Sequence, residues 1–150
     1  MHSKGPPEIA YVALGSNLGD REGYLAAARA ALAELPDTQM LAVSDVEETA
    51  PLGPQDQPWY LNQMVALKTR LEPAILLGLL QGIEREHGRV RGERWGPRTL
   101  DLDIVRFGDR HVSRPGLDLP HPELPHRTFW QRELEQVEGR VRQESIGARR

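Results

Sequence analysis

The sequence predicts an α+β protein forming one domain over residues 1–150. Three observations carry this reading. Apolar runs of strand length are bounded by turn residues, two segments of helical period lie between them, and no composition break divides the chain.

Ile9 to Leu14 is a short apolar run ending in Gly15-Ser16-Asn17-Leu18-Gly19-Asp20, a buried strand entering a tight turn with Asp20 placed to cap the next helix. Arg21 to Leu35 is alanine-rich, carries Leu25, Ala28, Leu32 and Leu35 on one face, and stops before Pro36, which predicts a helix. Met40 to Thr49, with β-branched Val43 and Val46, predicts a strand. Ala50 to Pro58, held by Pro51, Gly53, Pro54 and Pro58, predicts a constrained loop. Tyr60 to Leu71 predicts a further strand of unsettled phase. Pro73 suits the first position of a helix whose stripe is Leu76, Leu79, Leu80 and Ile83, whose polar face carries Gln81 and Glu84, and which closes near Gly88. Leu100 to Phe107 predicts a strand, followed by a turn at Gly108-Asp109 and a short return strand at His111 to Ser113. Beyond Arg114 the chain is proline-rich, and Arg127 to Arg142 has helical character with a strongly polar composition. Residues 1–7 and 143–150 are expected to fray. The order βαββαβ suits a ferredoxin-like antiparallel sheet with helices packed on one face.

Composition narrows the chemistry. There is no cysteine, which excludes disulfides, thiolate catalysis and cysteine-ligated zinc. The N-terminus lacks an apolar run and Ala74 to Leu80 is too short to span a bilayer, so the expectation is a cytoplasmic protein with no membrane insertion. The formal net charge is −3, yet arginines cluster between Arg85 and Arg98 as a local positive field. That pattern favours a small polyanion over duplex nucleic acid, which demands a broad basic face.

The richest stretch is GRVRGERWGPRTLDLDI, Gly88 to Ile104. Period two puts Leu100, Leu102 and Ile104 on the core face and Asp101 and Asp103 together on the other. Two carboxylates about 6–7 Å apart on one strand face repel unless a cation lies between them. Taken alone, the pair also fits the solvated face of an amphipathic strand; the adjoining arginines favour metal and phosphate. Arg91 and Arg98 fit phosphate contact, because a guanidinium binds two oxygens at once and keeps its charge. For Arg89 and Arg94, spacing alone favours a solvated loop charge. Gly15 to Gly19 lacks both the Walker lysine and the full dinucleotide fingerprint, so it reads as a structural turn. Gln81 and Glu84 could face a ligand or solvent. His121 and His126 do not make a metal pair by their spacing. Trp59, Tyr60, Trp95 and Phe129 are weighed as core first, while an aromatic beside the Asn62 amide could also hold a flat heterocycle.

Four ordered blocks resemble the 6-hydroxymethyl-7,8-dihydropterin pyrophosphokinases of folate biosynthesis: GSNLG at 15–19, TAPLGPQDQPWYLN at 49–62, GRVRGERWGPRTLDLDI at 88–104 and PHPELPHRTF at 120–129. The resemblance runs from about Ile9 to Phe129. It implies transfer of the diphosphate of ATP to the hydroxymethyl oxygen of the pterin, releasing AMP. It also implies two Mg²⁺ ions on Asp101 and Asp103, with Arg89 and Arg98 steadying charge on the moving phosphates. Gln81, Glu84, Arg91, Trp95, Arg98, Ile104, His121 and Arg127 fall where the family lines its ATP site. Thr49, Leu52, Tyr60, Asn62, Trp95 and Phe129 fall where it holds the pterin, the ring stacked between Tyr60 and Phe129. The family is usually monomeric, and the loops at 15–20, 50–58 and 89–95 would close over the substrates.

Three departures stand out. Trp130-Gln131-Arg132-Glu133-Leu134 replaces an apolar run with a Pro-Leu step, Glu123 stands where arginine is common, and Glu47 occupies a position that is often aromatic. The competing class is an RNA-binding module, since the same topology can display aromatics and basic residues on a sheet face. An inactive relative kept as a partner-binding protein is the third.

Overall fold

The computed structural model describes residues 5–51, 56–88 and 99–148. Strand β1 (Glu8–Ser16) lies inside the sheet, and its apolar residues divide between two cores. Ala10, Val12 and Leu14 join one core; Tyr11 and Ala13 join the other. A strand apolar on both faces must be covered on both.

The sheet is antiparallel, with β1 paired on one side to β4 (Tyr60–Thr69) and on the other to β5 (Asp101–Phe107). The outer neighbour of β4 is β2 (Thr38–Val43), continued by the short β3 (Glu47–Thr49). Strand order is β2-β4-β1-β5, so that among the described residues β5 has a strand neighbour on one side only.

The expected strand from Met40 to Thr49 is thus two strands. Ser44 divides them: its N–H donates to Met64 O at 2.8 Å, and its Oγ accepts the Met64 N–H at 2.8 Å. The side chain of Gln63 donates to the Ser44 carbonyl at 2.6 Å. Residues 44–46 therefore bow outward while pairing resumes at Glu47↔Asn62.

Helix α1 (Arg21–Ala33) starts as expected at Asp20, whose Oδ1 accepts the Gly23 N–H at 3.0 Å. It buries Leu25, Ala28 and Leu32. Helix α2 (Pro73–Glu86) begins with Pro73 in its first turn and buries Leu76, Leu80 and Ile83 on the same face of the sheet. Helix α3 (Thr128–Ala148) corrects the expectation of helices on one face only. Its stripe of Trp130, Leu134, Val137 and Val141 covers Tyr11, Met64, Ala66 and Val105 on the opposite face. Spacing of four, three and four residues makes this polar sequence amphipathic. The helix also continues to Ala148, through residues expected to fray.

After β5 the return strand β6 (Val112–Arg114) pairs with β7 (Leu117–Leu119), which the sequence reading missed. Gly116 turns this hairpin at φ +79°. Arg110 pins the β5–β6 turn, pairing with Glu8 at 2.6 Å and with Glu72 at 2.7 Å.

Candidate active site

The register of the sheet builds a floor under the N-terminal end of α3. Glu47 faces Asn62, Asn62 faces Gly15, and Gly15 faces Asp101 across β3, β4, β1 and β5. The next row places Met64, Ala13 and Asp103 side by side. Gly15 therefore separates an amide from a carboxylate with no side chain of its own. A Cβ there would stand 3.3 Å from Asn62 Oδ1 and 3.4 Å from Tyr60 Cδ1. The glycine is required by close approach, since it lets Tyr60 and Asn62 lean over β1.

Asn62 is 6% exposed, and its Nδ2 donates to Thr49 Oγ1. That bond fixes the amide and leaves its Oδ1 toward Gly15. Gly15 and Ser16 close strand β1, and the turn follows at Asn17. Asn17 is fully buried and donates to Pro58 O at 3.0 Å, tying this turn to the segment before Tyr60.

The free edge of β5 is closed by two groups. Glu84, 6% exposed on α2, accepts the Leu102 N–H at 2.8 Å through Oε2. The His121 N–H donates to Val105 O at 2.8 Å. Pairing with β1 steps from Tyr11↔Arg106 to Val12↔Ile104, so Val105 is the extra residue of a bulge, and Ile104, two residues from Leu102, turns its main-chain groups outward as Leu102 does. Beside them lies a cleft of about 150 Å³ lined by Leu77, Asp103, Ile104, Leu117, His121 and Pro122 among others.

The opposite wall is aromatic and cationic. Trp130 is 2% exposed; His121 meets it edge-on at 4.9 Å and the Arg127 guanidinium lies 4.3 Å over its ring. Phe129 packs edge-on against Trp130 at 6.4 Å. His121 Nδ1 accepts the Glu123 N–H at 3.0 Å, so the neutral ring carries its proton on Nε2, 3.8 Å from Asp103 Oδ1. Burial first, and Arg127 second, hold the His121 pKa below its ordinary value, so it is neutral near pH 7. The arrangement offers oxygen ligands to hard cations, a buried amide to a polar ring edge, and a main-chain edge beside a cleft of mixed polar and apolar lining.

The chain matches the model of the 7,8-dihydro-6-hydroxymethylpterin-pyrophosphokinase family over residues 11–139. This chain belongs to that family. Among its relatives, the 2-amino-4-hydroxy-6-hydroxymethyldihydropteridine pyrophosphokinase of Pseudomonas aeruginosa is 50% identical over 119 residues, covering 79% of this chain and 74% of the relative. The enzyme of the same name from Bacillus subtilis is 45% identical over 140 residues, 93% of this chain and 84% of the relative. That of Haemophilus influenzae is 46% identical over 120 residues, 80% and 75%. The crystal structure of an HPPK-DHPS in complex with substrates superposes with a TM-score of 0.57 at 15% identity, over 76% of this chain and 30% of that one, and shares the fold.

Measured against the expectations for a pyrophosphokinase, Asp101, Asp103, Thr49, Asn62, Tyr60, Phe129, His121 and Arg127 stand around this floor and wall. Ile104 presents main chain to the cleft while its side chain is in the core. Gln81 is exposed on α2. Glu84, expected to line the ATP site, has one oxygen on the Leu102 amide. Leu52, Arg89, Arg91, Trp95 and Arg98 lie outside the described residues. Sequence reading missed the spacer role of Gly15, for which a glycine at the end of an apolar strand run was the available signal. It also missed Trp130 as the hub of the aromatic wall. Helix α3 covers the sheet face that an RNA-binding module would leave open.

Proposed function

We propose that this chain transfers the diphosphate of ATP to the hydroxymethyl oxygen of 6-hydroxymethyl-7,8-dihydropterin, releasing AMP, at the floor bounded by Asn62 and Asp101. The carrying observation is the row Asn62–Gly15–Asp101, which sets a ring-recognising amide and the Asp101–Asp103 pair on one face with an open lane between. Antiparallel order β2-β4-β1-β5 with helices after β1 and β4 supports the ferredoxin-like reading of the fold.

The donor set fits Mg²⁺. Two carboxylates share a face, and among the described residues no third His, Cys, Asp or Glu completes an all-protein cage. Mg²⁺ accepts one or two carboxylates and fills the rest of its octahedron with phosphate oxygens and water. Asp101 and Asp103 would hold two such ions, which supply charge neutralisation and alignment of the triphosphate.

The remaining work falls to the chain itself. Asn62 and Thr49 orient the pterin edge, and Tyr60 and Phe129 bracket its ring. The Ile104 main chain meets the adenine edge, as a flat heterocycle can pair with outward N–H and C=O groups. His121 offers its Nε2–H, and Arg127 its charge, to the phosphate side. Arg89, Arg91 and Arg98, with Trp95, Gln81 and Leu52, complete the ATP and pterin contacts in this reading. The enzyme works as a cytoplasmic monomer.

The deciding experiment is AMP release from ATP with and without the hydroxymethyl dihydropterin, and with Mg²⁺ removed by chelation. Pterin-dependent AMP that vanishes on chelation and returns with Mg²⁺ supports the reading. AMP release independent of pterin refutes the substrate, and full activity in chelator refutes the ions. Arg98→Ala should lower kcat by roughly 10²–10³, the cost of one lost electrostatic stabiliser.

A further inference from the structure

Glu133, in the second turn of α3, is 3% exposed, and neither of its carboxyl oxygens has a hydrogen-bond partner among the described residues. Three residues after Trp130 and four before Val137, it shares the stripe that faces the sheet. Across from it on β3 stands Glu47, whose carboxyl approaches that of Glu133 without reaching conventional hydrogen-bond geometry. Glu47 is the direct cross-strand neighbour of Asn62, and Thr49 on the same short strand takes the Asn62 amide. Two carboxylates in such a place cannot both be ionised at low cost. Burial, with Glu47 behind it, pushes the Glu133 pKa up to about 9.

The charged groups facing Glu133 are few. Glu47 comes from β3, and Arg132 from its own helix reaches Glu47 at 3.4 Å from the solvent side. One turn on, Asp45 is occupied by Gln136 and Arg140 at 2.9 Å each. Arg132 favours the charged form of Glu133, but burial and Glu47 outweigh it.

We propose that Glu133, as a neutral acid sharing its proton with Glu47, is a positioning residue that holds β3 against α3 and so keeps Asn62 and Thr49 aligned under the pterin. This rests on the pterin reading of Asn62 and Thr49. Loss of the proton sets a buried carboxylate against the half-buried one of Glu47 and drives β3 outward. Pterin affinity then falls as the pH rises through the titration, while MgATP binding, on the far side of Gly15, does not.

The test is calorimetric titration of pterin, with a non-hydrolysable ATP analogue and Mg²⁺ at saturation, from pH 7 to 10, and of the analogue alone over the same range. In the parent, pterin Kd should rise about tenfold one unit above the titration. Glu133→Gln donates an amide N–H where the acid donates O–H, so it should bind pterin like the parent at pH 7 and stay flat in alkali. Glu133→Leu keeps the site packed but cannot hold Glu47, and should bind pterin more weakly at every pH with analogue affinity unchanged. An infrared band of a protonated carboxylic acid at neutral pH, absent in Glu133→Gln, reports the proton directly.

The same alkaline loss in parent and Glu133→Gln, or parent-like pterin binding by Glu133→Leu, overturns the proposal. Asn62→Ala separates it from the reading beneath it. Unchanged pterin affinity in Asn62→Ala overturns the pterin assignment and the proposal with it. A weakened Asn62→Ala beside one pH profile shared by parent and Glu133→Gln overturns the proposal alone.

Discussion

The carboxylate of Glu84 accepts the backbone N–H of Leu102 at 2.8 Å, so a helix side chain closes the sheet edge between Asp101 and Asp103. A free strand edge offers unpaired amides that would otherwise need water or another chain. Glu84→Ala leaves that buried donor unsatisfied and should cost about 1–3 kcal/mol in urea denaturation. Because Leu102 sits between the two aspartates, KM for MgATP should rise as well. Glu84→Gln, which keeps an acceptor, should lose less of both. Equal losses in the two variants would show that the hydrogen bond is not what matters.

Asp101→Asn and Asp103→Asn remove charge while keeping shape. Each should lower turnover by at least about 10²–10³ at saturating Mg²⁺, measured as AMP release, with unchanged circular dichroism. Activity within a few-fold of the parent in either variant would overturn the assignment of that residue as a metal ligand.

Asn62→Ala strips a buried amide from the pterin edge and its partner from Thr49. A site built on such bonds discriminates strongly, so pterin Kd should rise roughly 10–100-fold while MgATP Kd stays put. Calorimetry of both ligands decides it, and equal losses would indicate damaged folding.

Gly15→Ala tests the lane between amide and carboxylate. Its Cβ would press on Asn62 Oδ1 at 3.3 Å and Tyr60 Cδ1 at 3.4 Å, so these side chains must give by a few tenths of an ångström. Pterin KM should rise more than the melting temperature falls. A variant with parent kinetics would show that the glycine is only a strand residue.

Stability should itself depend on pH through Glu133. Its ordinary value is 4.5 and its value in the fold about 9. Between these, the folded chain keeps a proton that the unfolded chain releases. Stability is therefore full below 4.5, declines as pH rises through the window, and levels off above 9. The slope from this group is at most about 1.4 kcal/mol per pH unit. Glu133→Gln should flatten it in urea titrations at pH 6, 7 and 8, and an unaltered slope would assign the proton elsewhere.

Local rules made much of this molecule readable from its residues. Alternation in Leu100-Asp101-Leu102-Asp103-Ile104 placed both aspartates on one face because a strand has no other option. Asp20 and Pro73 marked helix starts by chemistry that acts within one turn. What escaped depends on partners remote in sequence. The division of β2 from β3 rests on Ser44 meeting Met64, twenty residues away. The burial of Trp130 and the covering of the second sheet face depend on α3 finding an apolar floor, which a strongly polar helix does not announce. Glu84 was legible as a polar residue on α2, but its use as an edge cap required the position of β5. For the site, the family blocks named the residues, whereas the register showed how Asn62, Gly15 and Asp101 line up.

That row works as a ruler. From Asn62 to Asp101 is two strand spacings, about 9–10 Å, fixed by backbone hydrogen bonds rather than by rotamers. Side-chain distances can be retuned by a χ rotation; this one can change only if the sheet itself is rebuilt. With Asn62 and Asp101 in the roles proposed above, an acceptor whose arm is one carbon longer would carry its oxygen past the phosphorus while its ring stayed on the amide. In that reading the chain length of the acceptor is gauged by the pitch of the sheet.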